Sequence, residues 1–146
     1  MTWADGLRPS RRRSPVGTSV SRRNVVFAVG ASIGGLLVHN LEEFGPSILL
    51  WPETWVPAAI TVLLGVAMCR LPGTGGYPDT GVFVATMGWA AVVIVVGGAS
   101  VLPLSIWPFT PEQTVSHYTA HVVYALAQLP LLWVGWRGFR FTRRSN

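Results

Sequence analysis

Lysine is absent from this chain, and all eleven basic residues are arginine. Acidic residues are scarcer still, six in 146, and only 12% of the sequence is charged while 50% is hydrophobic. So little charge excludes a well-solvated surface around a water-soluble core and leaves room for several membrane spans in one domain. The single cysteine, Cys69, excludes an intramolecular disulfide and a cysteine-based zinc site. The glycine-rich stretch Gly73 to Gly76 lacks the GKS or GKT ending of a phosphate loop and follows no strand. No nucleophile motif and no haem signature is present. The lack of lysine also fits a GC-rich genome, such as that of an actinomycete.

What charge there is has a pattern. The arginines lie in three places, Arg8 to Arg23, the lone Arg70, and Arg137 to Arg144, each beside an apolar run. A net charge of +5 therefore reflects the positive-inside bias of a membrane protein better than a nucleic-acid footprint, and no nucleic-acid partner is expected. The expected fold class is all-α: a polytopic membrane protein, folded as an antiparallel four-transmembrane-helix bundle with a disordered N-terminal arm.

Residues 1–23 are rich in Arg, Ser, Pro and Gly without periodicity and should form the disordered cytoplasmic arm. Ser21 to Val26 is similar to a twin-arginine export signal, but no small-residue cleavage site follows at a usable distance, so the first helix is expected to be retained. The transmembrane domain covers 24–137, with helices at about 25–43, 55–71, 82–107 and 112–136, and 138–146 is a basic cytoplasmic tail. Gly30, Ala31, Gly34 and Gly35 form small-xxx-small pairs suited to close helix packing. Pro57 is expected in the first turn of the second helix, Pro103 to end or kink the third, and Pro130 to kink the fourth. Thr110-Pro111-Glu112-Gln113 has the composition of a helix start. The loops on the far side of the arginines contain Glu53 and Glu112 and no basic residue, which places both termini in the cytoplasm of a cell-membrane protein.

Charge enters the first apolar run only at its end, in His39-Asn40-Leu41-Glu42-Glu43. On a helix His39, Glu42 and Glu43 share a face. A histidine, two open positions and two glutamates after a first membrane helix resembles the HXXEE-motif family, small integral membrane proteins of unknown function. The resemblance implies the architecture and a site at these residues, and implies no reaction. On the fourth helix His117, His121, Tyr124 and Gln128 fall on one polar stripe. In the expected topology the first helix ends and the fourth begins on the outer side, so the two groups meet at similar depth.

Five ionisable side chains converging in an apolar bundle point to a functional site, against the plainer alternative of wet interface groups and hydrogen-bonded packing residues. His39, Glu43, His117 and His121 are the candidate metal ligands, a mixed nitrogen and oxygen set suited to zinc or to non-haem iron or manganese. Glu42 and Glu43 are the candidate catalytic carboxylates, with Glu42 favoured as the base and Glu43 as the ligand. Tyr124 and Gln128 are candidate pocket residues behind the ligands. Three functions compete: a metal-dependent, hydrolase-like enzyme acting on a lipid or isoprenoid, a metal-free acid/base isomerase or cyclase, and a non-enzymatic transport or assembly protein. Membrane lipids are the expected surroundings, and association into a homo-oligomer is left open.

Overall fold

The computed structural model describes residues 20–70, 80–105 and 113–145, and these form helices and turns with no strand among them. Most of the N-terminal arm, the loop 71–79 and the segment 106–112, which includes the helix start expected at Thr110 to Glu112, lie outside the described residues.

Helix α1 spans Arg22–Phe44. It opens three residues before the expected start at Val25, because the Ser21 hydroxyl accepts the Asn24 N–H at 3.2 Å and so caps a turn that includes Arg22 and Arg23. At the other end the Gly45 N–H bonds the Leu41 carbonyl at 3.0 Å. Gly45 has φ +69°, a backbone state that glycine adopts without a steric penalty. A 3-10 turn, Pro46–Leu50, leads to α2, Pro52–Arg70.

The sequence pattern starts the second helix at about residue 55, with Pro57 in its first turn; the structure corrects both. Pro52 begins the helix at a position where a missing N–H costs nothing, and Glu53 faces the positive end of the helix dipole. Pro57 is then interior, and the Glu53 carbonyl loses its usual N–H partner. Thr54, fully buried, fixes this corner: it accepts the Asn40 amide at 2.8 Å and donates to the Ile48 carbonyl at 3.0 Å.

Helix α3, Thr80–Val92, runs on into a π-helical turn, Val93–Gly97. Its last backbone bond of helical spacing is Ser100 N–H to Val96 at 3.0 Å, well short of the expected end near Trp107. Pro103 supplies no N–H and disfavours helical backbone at Leu102, so the chain turns away there. Helix α4, Val115–Ala127, and helix α5, Leu129–Ser145, follow. Thr114 caps α4 by accepting the His117 N–H at 3.3 Å, which starts the helix at Val115 instead of near residue 112. Between α4 and α5 the Gln128 N–H tightens onto the Ala125 carbonyl at 3.2 Å. The kink expected at Pro130 is therefore a break at Gln128. Helix α5 also continues past Trp136 through what the sequence pattern marks as a tail. Arg137, Arg140 and Arg143 stack on Trp133, Trp136 and Phe139 at 5.1, 4.8 and 4.8 Å, and these one-turn pairs support the extension.

Residues meet in opposite order along neighbouring helices. Asn40 of α1 pairs with Thr54 of α2, whereas Val25 packs near Met68 in the same core cluster. Likewise His39 meets His121, while Val25 and Ala28 share that cluster with Leu131 and Val134 of α5. Gly35 allows α1 and α4 to touch, since a side chain there would collide with Ala127. Gly30 and Gly34 face open space, so of the three glycines in the small-residue stripe only Gly35 meets a close neighbour.

Beside an apolar core the helices bury several polar side chains and leave many large apolar ones exposed. Ser32, His39, Asn40, Thr54, Thr61, Thr86, His117, His121 and Gln128 are buried, while Phe27, Leu63, Val95 and Leu126 are each more than half exposed. Three helical stretches, Arg22–Phe44, Pro52–Arg70 and Thr80–Gly97, are long and apolar enough to cross a membrane.

Candidate metal centre

The seam between α1 and α4 carries nearly all of the chemistry. On α1, Ser32, Gly35, Leu36, His39 and Glu43 follow one another at helical spacing on the side facing α4, and on α4 the Thr114 cap puts His117, His121 and Tyr124 on the side facing back. The rings of His39 and His121 lie edge to face with centroids 4.4 Å apart, and those of His117 and His121 at 4.5 Å. Tyr124 stacks flat on His39, 5.0 Å between centroids and 3° between planes. The three imidazoles thus form a short row with His121 in the middle.

Glu43 closes the row at its α1 end. Its Oε2 lies 3.1 Å from His39 Nε2, one helical turn away. Ligand atoms from His39, Glu43 and His121 all fall within 4.8 Å of one another, so the cluster could hold a metal ion. Donors on one tetrahedral ion with bonds of ~2.0–2.2 Å stand about 3.3–3.6 Å apart, so the side chains would draw together on binding it.

The hydrogen bonds around the row indicate which nitrogens are available. Nδ1 of His121 lies against the Gly97 carbonyl oxygen, an acceptor only, so Nδ1 carries the proton and Nε2 keeps a lone pair. Nε2 of His121 is buried with no hydrogen-bond partner. An imidazole that donates one N–H to a backbone carbonyl and aims the other nitrogen into a cluster of donors has the arrangement typical of a metal ligand. His39 Nδ1 and His117 Nε2 are also buried without partners. Such orphaned polar atoms are costly in a low-dielectric interior; a cation at His121 Nε2 would offset that cost there, whereas His39 Nδ1 lies on the other side of its ring from the nitrogen that faces Glu43.

The Gly97 carbonyl is presented by the π turn of α3. Ser100 donates to the same oxygen at 3.1 Å, and its Oγ is 3.5 Å from His121 Nδ1. Gly97 also has a steric role. A Cβ there would sit 2.8 Å from Tyr124 Cε1, so only glycine lets the turn approach the aromatic ring that backs His39.

Of the four ligands expected from sequence, His39, Glu43 and His121 converge, and His117 stands one ring further along, next to His121. Glu42 is exposed and points to the flank of the seam, where it lines a groove of about 270 Å³ with Val38, Ser116, Thr119, Ala120 and Val123. Gln128 lies deeper in the seam and accepts a hydrogen bond from Ser32 Oγ at 2.7 Å; it is not in contact with the row through any hydrogen bond seen among the described residues. From sequence, Ser32 is a simple packing residue and Gly97 has no assigned role. The adjacent Gly97-Gly98 pair and the nearby Ser100 are visible in the sequence, but their register against His121 depends on the π turn, which periodicity does not reveal.

The class defined by fold and site is an all-helical protein with apolar helices able to span a membrane and a His/Glu cluster able to hold a metal ion. No protein-family model, curated protein or solved structure matches the chain.

Proposed function

We propose that this is a multi-pass protein of the cell membrane, an antiparallel bundle in which α1, α2, α3 and the α4–α5 pair each cross the bilayer, with both termini cytoplasmic. His39, Glu43 and His121 hold one divalent ion near the extracytoplasmic face, with His117 as the additional nitrogen ligand. The donor set, three imidazoles and one carboxylate, favours zinc, with non-haem iron or manganese next. The outward-facing valines and leucines support the membrane placement, since a water-soluble chain rarely leaves so much apolar surface uncovered.

We further propose a hydrolase-like reaction on a lipid or isoprenoid that enters from the bilayer. A divalent ion supplies Lewis acidity toward water and toward a carbonyl or phosphoryl oxygen. The chain supplies the rest. Gly97 and Ser100 orient His121, Tyr124 holds the plane of His39, and Glu42, solvated on the groove flank beside Val38 and Ala120, takes up a proton from water. The single observation that carries the proposal is the convergence of His39, Glu43 and His121 with Nε2 of His121 buried and unpartnered.

One contact favours a second possibility. The direct 3.1 Å approach of Glu43 to His39 also suits a metal-free acid/base pair, able to move a proton in an isomerase or cyclase. Chelation separates the two: stripping metal from detergent-purified protein lowers its melting temperature if the site is a metal centre and leaves it unchanged if the pair works alone.

A further inference from the structure

A second groove lies at the opposite end of the molecule, between α1 and α2. It has a volume of about 470 Å³, within the range of small-ligand sites. Val26, Gly30, Val62 and Val66 form its walls, and Arg22 and Arg70 both line it. Both arginines are exposed, and no salt bridge to either is found among the described residues. Arg22 opens α1 and Arg70 closes α2, so the opposed directions of the two helices bring both residues to the same end of the groove. From Arg22 the groove extends to Gly30, about 12 Å along the helix, which is about half the depth of one bilayer leaflet plus its headgroups.

We propose that this groove binds an anionic phospholipid of the cytoplasmic leaflet, its phosphate between Arg22 and Arg70 and one acyl chain along Gly30, Val62 and Val66. Charge complementarity selects the occupant. A zwitterionic lipid brings an ammonium group to the two guanidinium groups, whereas an anionic headgroup neutralises them at the depth where lipid phosphates lie. The valine and glycine walls offer the chain dispersion contacts, and Cys69 lies at the arginine end of the groove. The site rests on the membrane-spanning arrangement and is independent of the metal centre.

Gly30 provides a test that does not endanger the fold. A Cβ at this position meets nothing within 4 Å, so Gly30→Leu fills the groove and raises helix propensity at the same time. Full-length protein in detergent is titrated with dioleoyl phosphatidylglycerol or dioleoyl phosphatidylcholine and the adducts are counted by native mass spectrometry. The expected result is a preference for phosphatidylglycerol that falls about 25-fold in Arg22→Gln/Arg70→Gln, on the basis of roughly fivefold per guanidinium at a membrane surface. The charge-matched control Arg143→Gln/Arg144→Gln keeps the preference. Gly30→Leu loses the retained lipid while its circular dichroism and melting temperature are at least those of the parent. Equal binding of the two lipids, or the same loss in the charge-matched control, or full retention in Gly30→Leu would overturn the site. Recovery of the parent chain in carbonate-washed membranes is scored separately, and its failure would count against the membrane-spanning arrangement itself.

Discussion

His121 and Gly97 are joined by a hydrogen bond from an imidazole Nδ1 to a backbone carbonyl, and that bond sets the direction of the other ring nitrogen. The carbonyl is available because Gly97 lies in the last turn of its helix, where carbonyls lack an intrahelical partner, and the turn can approach because residue 97 has no side chain. The end of one helix thus orients a candidate ligand on another.

Gly97→Ala tests this relationship. The added methyl must displace the Tyr124 ring, at a cost of ~1–3 kcal/mol for overpacking, and the shift separates the carbonyl from His121. The expected outcome is a lower melting temperature and a loss of roughly 10–100-fold in zinc affinity, the usual penalty for removing an outer partner of a ligating histidine. Competition with a chromogenic chelator gives the affinity.

The two glutamates should separate. Both glutamates are exposed, but Glu43 lies 3.1 Å from His39 whereas Glu42 lines the flanking groove. Glu43→Gln removes a ligand and lowers metal content. Glu42→Gln retains the metal, and once a substrate is in hand it lowers turnover with little change in affinity for the ion. Equal metal loss in both variants would contradict the division of roles.

The Ser32–Gln128 hydrogen bond spans α1 and α4 in the interior. Ser32→Ala leaves a buried amide oxygen unpaired and should cost ~1–3 kcal/mol, while Ser32→Ala/Gln128→Leu should recover most of that loss because no unpaired polar group remains. Thermal denaturation of the four proteins of this cycle in one detergent measures the coupling.

Cys69 reports orientation. It neighbours Arg70 at the end of α2, which the arginine distribution places in the cytoplasm. An impermeant maleimide should label it only after cells are opened, and labelling of intact spheroplasts would reverse the topology.

Much of this fold can be read from the sequence because its dominant signals are one-dimensional. Apolar runs bounded by arginine mark the helices, and a helical period of 3.6 residues is enough to place His39 with Glu43 and His117 with His121. Helix ends are less legible. Ser21 and Thr114 shift two starts through single hydroxyl caps, and the tail after Trp136 becomes helix through arginine–aromatic stacking, effects that an apolar run does not record. Contacts between helices are the least legible. Gly97 against Tyr124 and Ser32 against Gln128 depend on rotation and register, and a single sequence carries no direct signal of either.

The most direct measurement of the central claim is the elemental content of the detergent-purified protein, determined beside His39→Ala, His121→Ala and Glu42→Gln. Near-stoichiometric zinc, iron or manganese in the parent chain and in Glu42→Gln, with loss in both histidine variants, is the predicted result. A parent chain without bound metal after reconstitution with each of these ions, or histidine variants that bind as much metal as the parent, would contradict it.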